Sequence, residues 1–196
     1  MNIKKLTIDN FEKVVNEASK IIHSGGIVIA PFDTVYGFIC DPYNDSAIEK
    51  IYKLKGRDLN KPIGVAINPA GIMLDLIIPK HLDFANSKTL GPYTLIFPLR
   101  DKKISRYCQK NGTIAVRVPN SELILTISKQ MKMPLAQTSA NKSGQPTCAS
   151  INEIRSQFST DEIESVDLIV DWGKIKNAAP SQIYDLTQDK IVDISR

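Results

Sequence analysis

Short apolar runs, each cut off by a turn or a polar segment, recur along this chain and constrain its fold more than any other feature. Residues 27–30, 35–40, 63–67, 93–97, 113–118, 134–137, 168–170, 182–186 and 191–194 read as strands. Between them lie segments with apolar residues at helical spacing. In residues 9–24, Phe11, Val14, Val15, Ala18, Ile21 and Ile22 share one face, Asp9-x-x-Glu12 offers a capping box, and Gly25-Gly26 a stop. Residues 44–54 carry Ala47, Ile48, Ile51 and Tyr52 on one side, with Asn44, Asp45 and Ser46 as N-caps and Ser46-x-x-Glu49 as a box. Further helices are expected over 121–131 and 151–158, and two short ones within 72–86 divided by Pro79 after a turn at 68–71. Eight or nine strands thus interleave with five or six helices, without internal repeat or linker. One mixed α/β domain spanning residues 1–196 is expected.

Composition narrows the function. The 196 residues are 42% hydrophobic and 23% charged, ample for a core, and the net charge of +4 suits an anionic ligand or RNA without demanding either. Cys40, Cys108 and Cys148 lack metal-ligand spacing, and an odd count argues against a disulfide framework. With only His23 and His81, a His-rich zinc site is not expected, and no metal-ligating protein residues are identified. The polar opening and the lack of a membrane-length apolar run lead to the expectation of a cytoplasmic protein with no membrane partner.

Chemistry concentrates in a few places. Lys53-Leu-Lys-Gly-Arg-Asp-Leu-Asn-Lys61 packs four cations into nine residues. Gly56 can end the preceding helix in the left-handed conformation and Pro62 forbids its continuation, so Lys55 and Arg57 leave on a tight loop. Two readings stand: a solvated basic helix end favoured by the macrodipole, or a polyphosphate clamp of Lys point charge and Arg fork. Arg117 interrupts an otherwise apolar strand, where it either snorkels or meets an anion. Thr138-Ser-Ala-Asn141 follows a strand with small hydroxyl and amide groups suited to phosphate or ribose oxygens, or to an ordinary polar turn. Neither a Walker lysine loop nor a GxGxxG is present.

Taken together, these segments resemble the YrdC/TsaC family of threonylcarbamoyl-AMP synthases. Pro31-Phe-Asp-Thr-Val-Tyr-Gly37 looks like the family's P-T-D-T-x-Y-G opening, Lys55-Gly56-Arg57 with Lys61-Pro62 like its K-x-R element, and Ser139-Ala140-Asn141 like its S-x-N element. Four more segments recur in order: Gly91-Pro-Tyr-Thr-Leu-Ile-Phe97, Ile114-Ala-Val-Arg-Val-Pro119, Ser143-Gly-Gln-Pro-Thr147 and Ala179-Pro-Ser-Gln-Ile-Tyr-Asp185.

The resemblance implies a YrdC/RibB-like fold, a twisted mixed sheet with helices on both faces around a large basic cavity, of the short single-domain form. It implies that L-threonine, bicarbonate and ATP, with Mg²⁺ as companion, become L-threonylcarbamoyladenylate and pyrophosphate. This nucleotidyltransferase step opens the threonylcarbamoyladenosine (t6A) modification of tRNA, with downstream threonylcarbamoyl-transfer proteins as partners and tRNA as a further candidate. By motif matching, Lys55 and Arg57 serve catalysis and, with Lys61, Thr113, Ser139, Asn141 and Thr147, hold ATP; Thr34, Arg117, Gln137 and Ser181 hold threonine. Two positions depart from the pattern. Phe32 stands where the opening usually has Thr, and is expected to wall the substrate pocket; Ala66 stands where many members have His. The alternatives are a YciO-like paralogue and a non-enzymatic RNA-binding module of the same fold.

Overall fold

Buried apolar runs leave backbone N–H and C=O groups to be paired, and lateral pairing satisfies all of them at once. The computed structural model describes residues 2–68, 73–176 and 181–195. In chain order the elements are β1 (Ile3–Lys5), α1 (Phe11–His23), β2 (Val28–Pro31), β3 (Tyr36–Cys40), α2 (Asp45–Lys55), β4 (Gly64–Ala66), α3 (Met73–Leu76), α4 (Leu82–Ser87), β5 (Tyr93–Pro98), a 3-10 turn (Arg106–Cys108), β6 (Gln109–Lys110), β7 (Thr113–Arg117), α5 (Glu122–Met131), β8 (Leu135–Ser139), α6 (Ile151–Gln157), α7 (Thr160–Glu164), β9 (Leu168–Asp171), β10 (Gln182–Asp185) and β11 (Val192–Asp193). The strands form one mixed sheet in the order β1-β9-β2-β3-β8-β4-β7-β5-β10-β11, with β6 beside β7.

Helices cover both faces, as expected. Val14, Val15, Ala18 and Ile22 of α1 and Leu123, Ile124 and Ile127 of α5 pack on Val28, Ala30, Ile39, Ala66, Leu135, Leu168 and Val170. On the other face, Ala47, Ile48 and Ile51 of α2 and Ile151 and Ile154 of α6 pack on Ile27, Ile29, Phe38, Val65, Val116 and Ile169. Burial on both sides explains why β2 and β3 read as continuous apolar runs rather than alternating ones.

The pattern of caps differs from the sequence reading. The Asp9–Glu12 box does not form: Asn10 is the N-cap of α1, and its Oδ1 accepts from the Thr7 N–H at 2.8 Å instead of capping the helix. At α2, Asn44 rather than Ser46 caps, accepting from the Ala47 N–H at 3.0 Å, while Glu49 accepts from the Tyr107 hydroxyl at 2.6 Å. Gly56 ends α2 with φ 58°, as its sequence position implies. The strand before Ser139-Ala140-Asn141 extends through Ser139, so the expected loop begins later. Pro69, Ala70 and Gly71 of the expected turn, Ile72, and Ala179-Pro180 of the last motif lie outside the described residues.

Candidate functional site

Strand register determines which side chains share a face. Gly37 lies opposite Ser139 and Ile39 opposite Gln137 between β3 and β8. Gly64 lies opposite Gln137 between β4 and β8, Ala66 opposite Arg117 between β4 and β7, and Pro98 opposite Thr113 between β5 and β7. Ser139, Gln137, Thr113 and Arg117 therefore occupy the same face as Ile39, Leu135 and Ala66, the face packed by α1 and α5. Those helices sit over the β9, β2 and β4 side of the sheet. Toward β7 and β5 the same face carries the half-buried Gly64, Thr113, Ala115 and Ile96. Small and polar residues at alternate positions are what a sheet face not covered by helices requires.

At the end of β8, the basic loop after α2 meets the amide segment. Lys55 is buried, 2% exposed, and its Nζ donates to the carbonyl oxygens of Ser139 and Asn141, the latter at 2.7 Å. A third contact reaches Asn141 Oδ1 at 3.5 Å. The Asn141 amide is held by the carbonyls of Lys142 and Gln145, both at 2.8 Å, which turns its oxygen toward the ammonium. Burial, reinforced by the nearby Arg57 charge, pulls the Lys55 pKa down to about 7. The sequence left open a solvated helix end; for Lys55 the structure excludes it.

Arg57 folds back over its own loop. Its Nε donates to the Lys61 carbonyl and its Nη2 to the Pro62 carbonyl, both at 3.0 Å. These bonds shape the loop while the Nη1 edge stays available to an anion. Lys61 and Thr147 are exposed, and the Thr113 hydroxyl donates to the Lys110 carbonyl at 2.7 Å. These three are not brought into contact with Lys55.

A second cluster surrounds Arg117, 5% exposed. Its Nη2 pairs with Asp33 Oδ1 at 2.5 Å, its Nη1 donates to Thr34 Oγ1 at 3.1 Å, and its Nε points to the Gly91 carbonyl at 3.4 Å. Asp33 Oδ2 accepts from the Asn120 N–H at 3.1 Å. The arginine therefore neither snorkels nor lacks a partner: burial depresses its pKa and Asp33 opposes that shift. Asp33 was in the motif but unassigned, since sequence does not show which of its neighbours an internal carboxylate reaches. Gln137 lies over Gly64, where an added Cβ would stand 3.4 Å from its Nε2. Ser181 meets Thr94, hydroxyl to hydroxyl, at 2.9 Å; Thr94 was also unassigned.

Phe32 is a core residue that also lines a cavity. It is 6% exposed and belongs to the core cluster of α1 and α5, its ring against Gly37 and 5.9 Å from the Arg117 guanidinium carbon. Ala66 is fully buried beside Arg117. A single large basic cavity around the candidate residues is not among the features the structure shows. A cavity of about 920 Å³ lies beyond them, between the start of α1, the start of α5 and the end of β9, with Phe32 and Asp33 on its wall.

The fold and these clusters define an α/β protein with a cation-bearing polar face on a mixed sheet. Residues 20–196 match the family model of Sua5, YciO and YrdC, described as "Telomere recombination". The chain belongs to the Sua5/YciO/YrdC family. It is 31% identical to a Methanocaldococcus jannaschii protein named "Putative threonylcarbamoyl-AMP synthase", over 99% of this chain and 90% of the relative. Its structure is similar to P. abyssi Sua5 complexed with L-threonine, with TM-score 0.84 and 26% identity, over 98% of this chain and 56% of that one. The chain thus spans just over half the length of that protein. E. coli YciO shares the fold, with TM-score 0.78 and 22% identity over 100% of this chain and 93% of that one.

Proposed function

We propose that this protein is a threonylcarbamoyl-AMP synthase, a nucleotidyltransferase joining L-threonine, bicarbonate and ATP into L-threonylcarbamoyladenylate, pyrophosphate and water. The observation that carries the reading is that two buried cations each gather partners remote in sequence, Lys55 the Ser139 and Asn141 carbonyls, and Arg117 the Asp33 and Thr34 side chains. A relative of nearly the same length bearing that activity in its name supports it.

The chemistry asks for little beyond positioning. The threonine nitrogen adds to the bicarbonate carbon, and loss of water leaves a carbamate. A carbamate oxygen then bonds to the α-phosphorus while the bond to pyrophosphate breaks. Fixed cations lower that barrier by meeting charge as it develops on the departing oxygens. In this reading Lys55 and Arg57 supply the cations, and Lys61, Thr113, Ser139, Asn141 and Thr147 orient ATP. Thr34, Arg117, Gln137 and Ser181 hold threonine, Arg117 through N–H groups left over from its bonds to Asp33 and Thr34. A triphosphate beside Lys55 would raise its pKa again, so ATP binding takes up a proton near neutral pH. Among the described residues no group of three His, Cys, Asp or Glu side chains could hold a metal ion. In this reading Mg²⁺ arrives as part of the Mg²⁺–ATP substrate, held chiefly by phosphate oxygens and water.

The product is a mixed anhydride of a carbamate and a phosphate, reactive enough to need prompt transfer. Downstream threonylcarbamoyl-transfer proteins acting on tRNA are the proposed consumers. No helix among the described residues is long and apolar enough to cross a membrane. The test is pyrophosphate release. It should require both L-threonine and bicarbonate; equal release with either left out would sink the synthase reading and favour a YciO-like paralogue.

A further inference from the structure

Thr94 stands out as a polar side chain that the proposed reaction leaves unexplained. It sits in β5, 8% exposed, on a strand whose other core positions, Leu95 and Phe97, are apolar. The β5–β7 register pairs Leu95 with Val116 and Ile96 with Ala115. Carried one residue further, that register sets Thr94 opposite Arg117 on the same face of the sheet. On its other side β10 pairs Ile183 with Thr94. Ser181, just ahead of β10 and half-buried, meets the Thr94 hydroxyl at 2.9 Å.

Two bonded hydroxyls carry two protons and four lone pairs, and their mutual bond uses one of each. One proton and up to three lone pairs remain for another molecule. Because Thr94 is the deeper of the two, the unspent capacity opens through Ser181. Next to an arginine that can take a carboxylate, a second polar point on the same face reads the rest of an amino acid.

We infer that Thr94 is a positioning residue that fixes the Ser181 hydroxyl to bond the β-hydroxyl of the amino-acid substrate, so that the site selects hydroxy amino acids over their apolar isosteres. The inference rests on the synthase reading for its substrate class. Its physical basis is general: a buried hydroxyl built to bond a substrate hydroxyl is left unpaired by the analogue that lacks one, which rejects the analogue strongly. L-Valine is the matching probe, because it replaces the threonine hydroxyl by a methyl group of similar size.

The experiment is calorimetric titration of L-threonine and of L-valine into the wild-type chain, Thr94→Val, Thr94→Ser and Ser181→Ala. Wild type should bind threonine at least about tenfold more tightly than valine. Thr94→Val and Ser181→Ala should lose most of that ratio, and Thr94→Ser should retain it, with melting temperatures close to wild type. A Thr94→Val protein that keeps the wild-type ratio, or a wild type that does not prefer threonine, would overturn the assignment. A purely structural role would weaken both ligands alike, and that outcome also counts against it. Selective threonine binding without pyrophosphate release would refute the synthase reading while leaving this inference standing.

Discussion

Lys55 is an ammonium buried among carbonyl dipoles, and its protonation carries a stability signature. Burial holds its folded-state pKa near 7 against an ordinary value of 10.5. Between those values the unfolded chain binds a proton that the folded chain does not, so stability rises with pH across that window. Lys55→Met removes the group from both states. The stability difference between wild type and Lys55→Met should therefore shift in favour of wild type from pH 7 to pH 10, read as urea midpoints. Parallel midpoints would show that the ammonium stays charged through the window. Arg117 makes the complementary case, since its charge is neutralised within the fold. Asp33→Ala would strand a buried guanidinium, at a cost of about 3–5 kcal/mol. Arg117→Lys keeps a charge for Asp33 but loses the fork, so the KM for threonine should rise while that for ATP holds. A KM for ATP that rises in step would move Arg117 to the nucleotide.

At the scale of elements, α2 and the loop after it act as one piece. Gly56 holds φ 58° with open space around an added Cβ, so Gly56→Ala is opposed by backbone strain alone, about 1–2 kcal/mol. Because Arg57 follows directly, the same change should lower turnover more than its stability cost implies; equal kinetics would separate the cap from the site. How legible these elements were depends on what carried their signal. The helix α2 and its stop were readable because a 3.6-residue period and a left-handed glycine are local. The strand β1, only Ile3–Lys5, has no period of its own and exists because β9 offers it a parallel edge. The cap of α1 was misassigned because Asp9 and Asn10 are equally good candidates, and a bond from the Thr7 N–H turned Asn10 away from the helix. Phe32 shows the limit for side chains: its position at a strand end fitted wall or core, and with its ring against Gly37 it is buried in the core while still lining a cavity.

At the scale of the molecule, the sheet order turns sequence distance into proximity. Lys55 and Ser139 are 84 residues apart, Thr34 and Arg117 are 83 apart, and Thr94 and Ser181 are 87 apart. Motif order suggested which residues belong together, whereas the pairings with Asp33 and Thr94 needed the register of β7 with its neighbours. The registers of β8, β4 and β7 set Ser139, Gln137 and Arg117 on one face, Thr34 joins them through Arg117, and Lys55 reaches the Ser139 and Asn141 carbonyls from α2. The central claim is that these residues join an amino acid, bicarbonate and ATP. The most direct measurement is mass detection of the acyl-adenylate after incubation with ATP, Mg²⁺ and isotopically labelled bicarbonate, with and without L-threonine. The account predicts one adenylate carrying both the label and threonine, formed only when all components are present. An unlabelled threonyl-adenylate, or AMP formation indifferent to threonine, would contradict it.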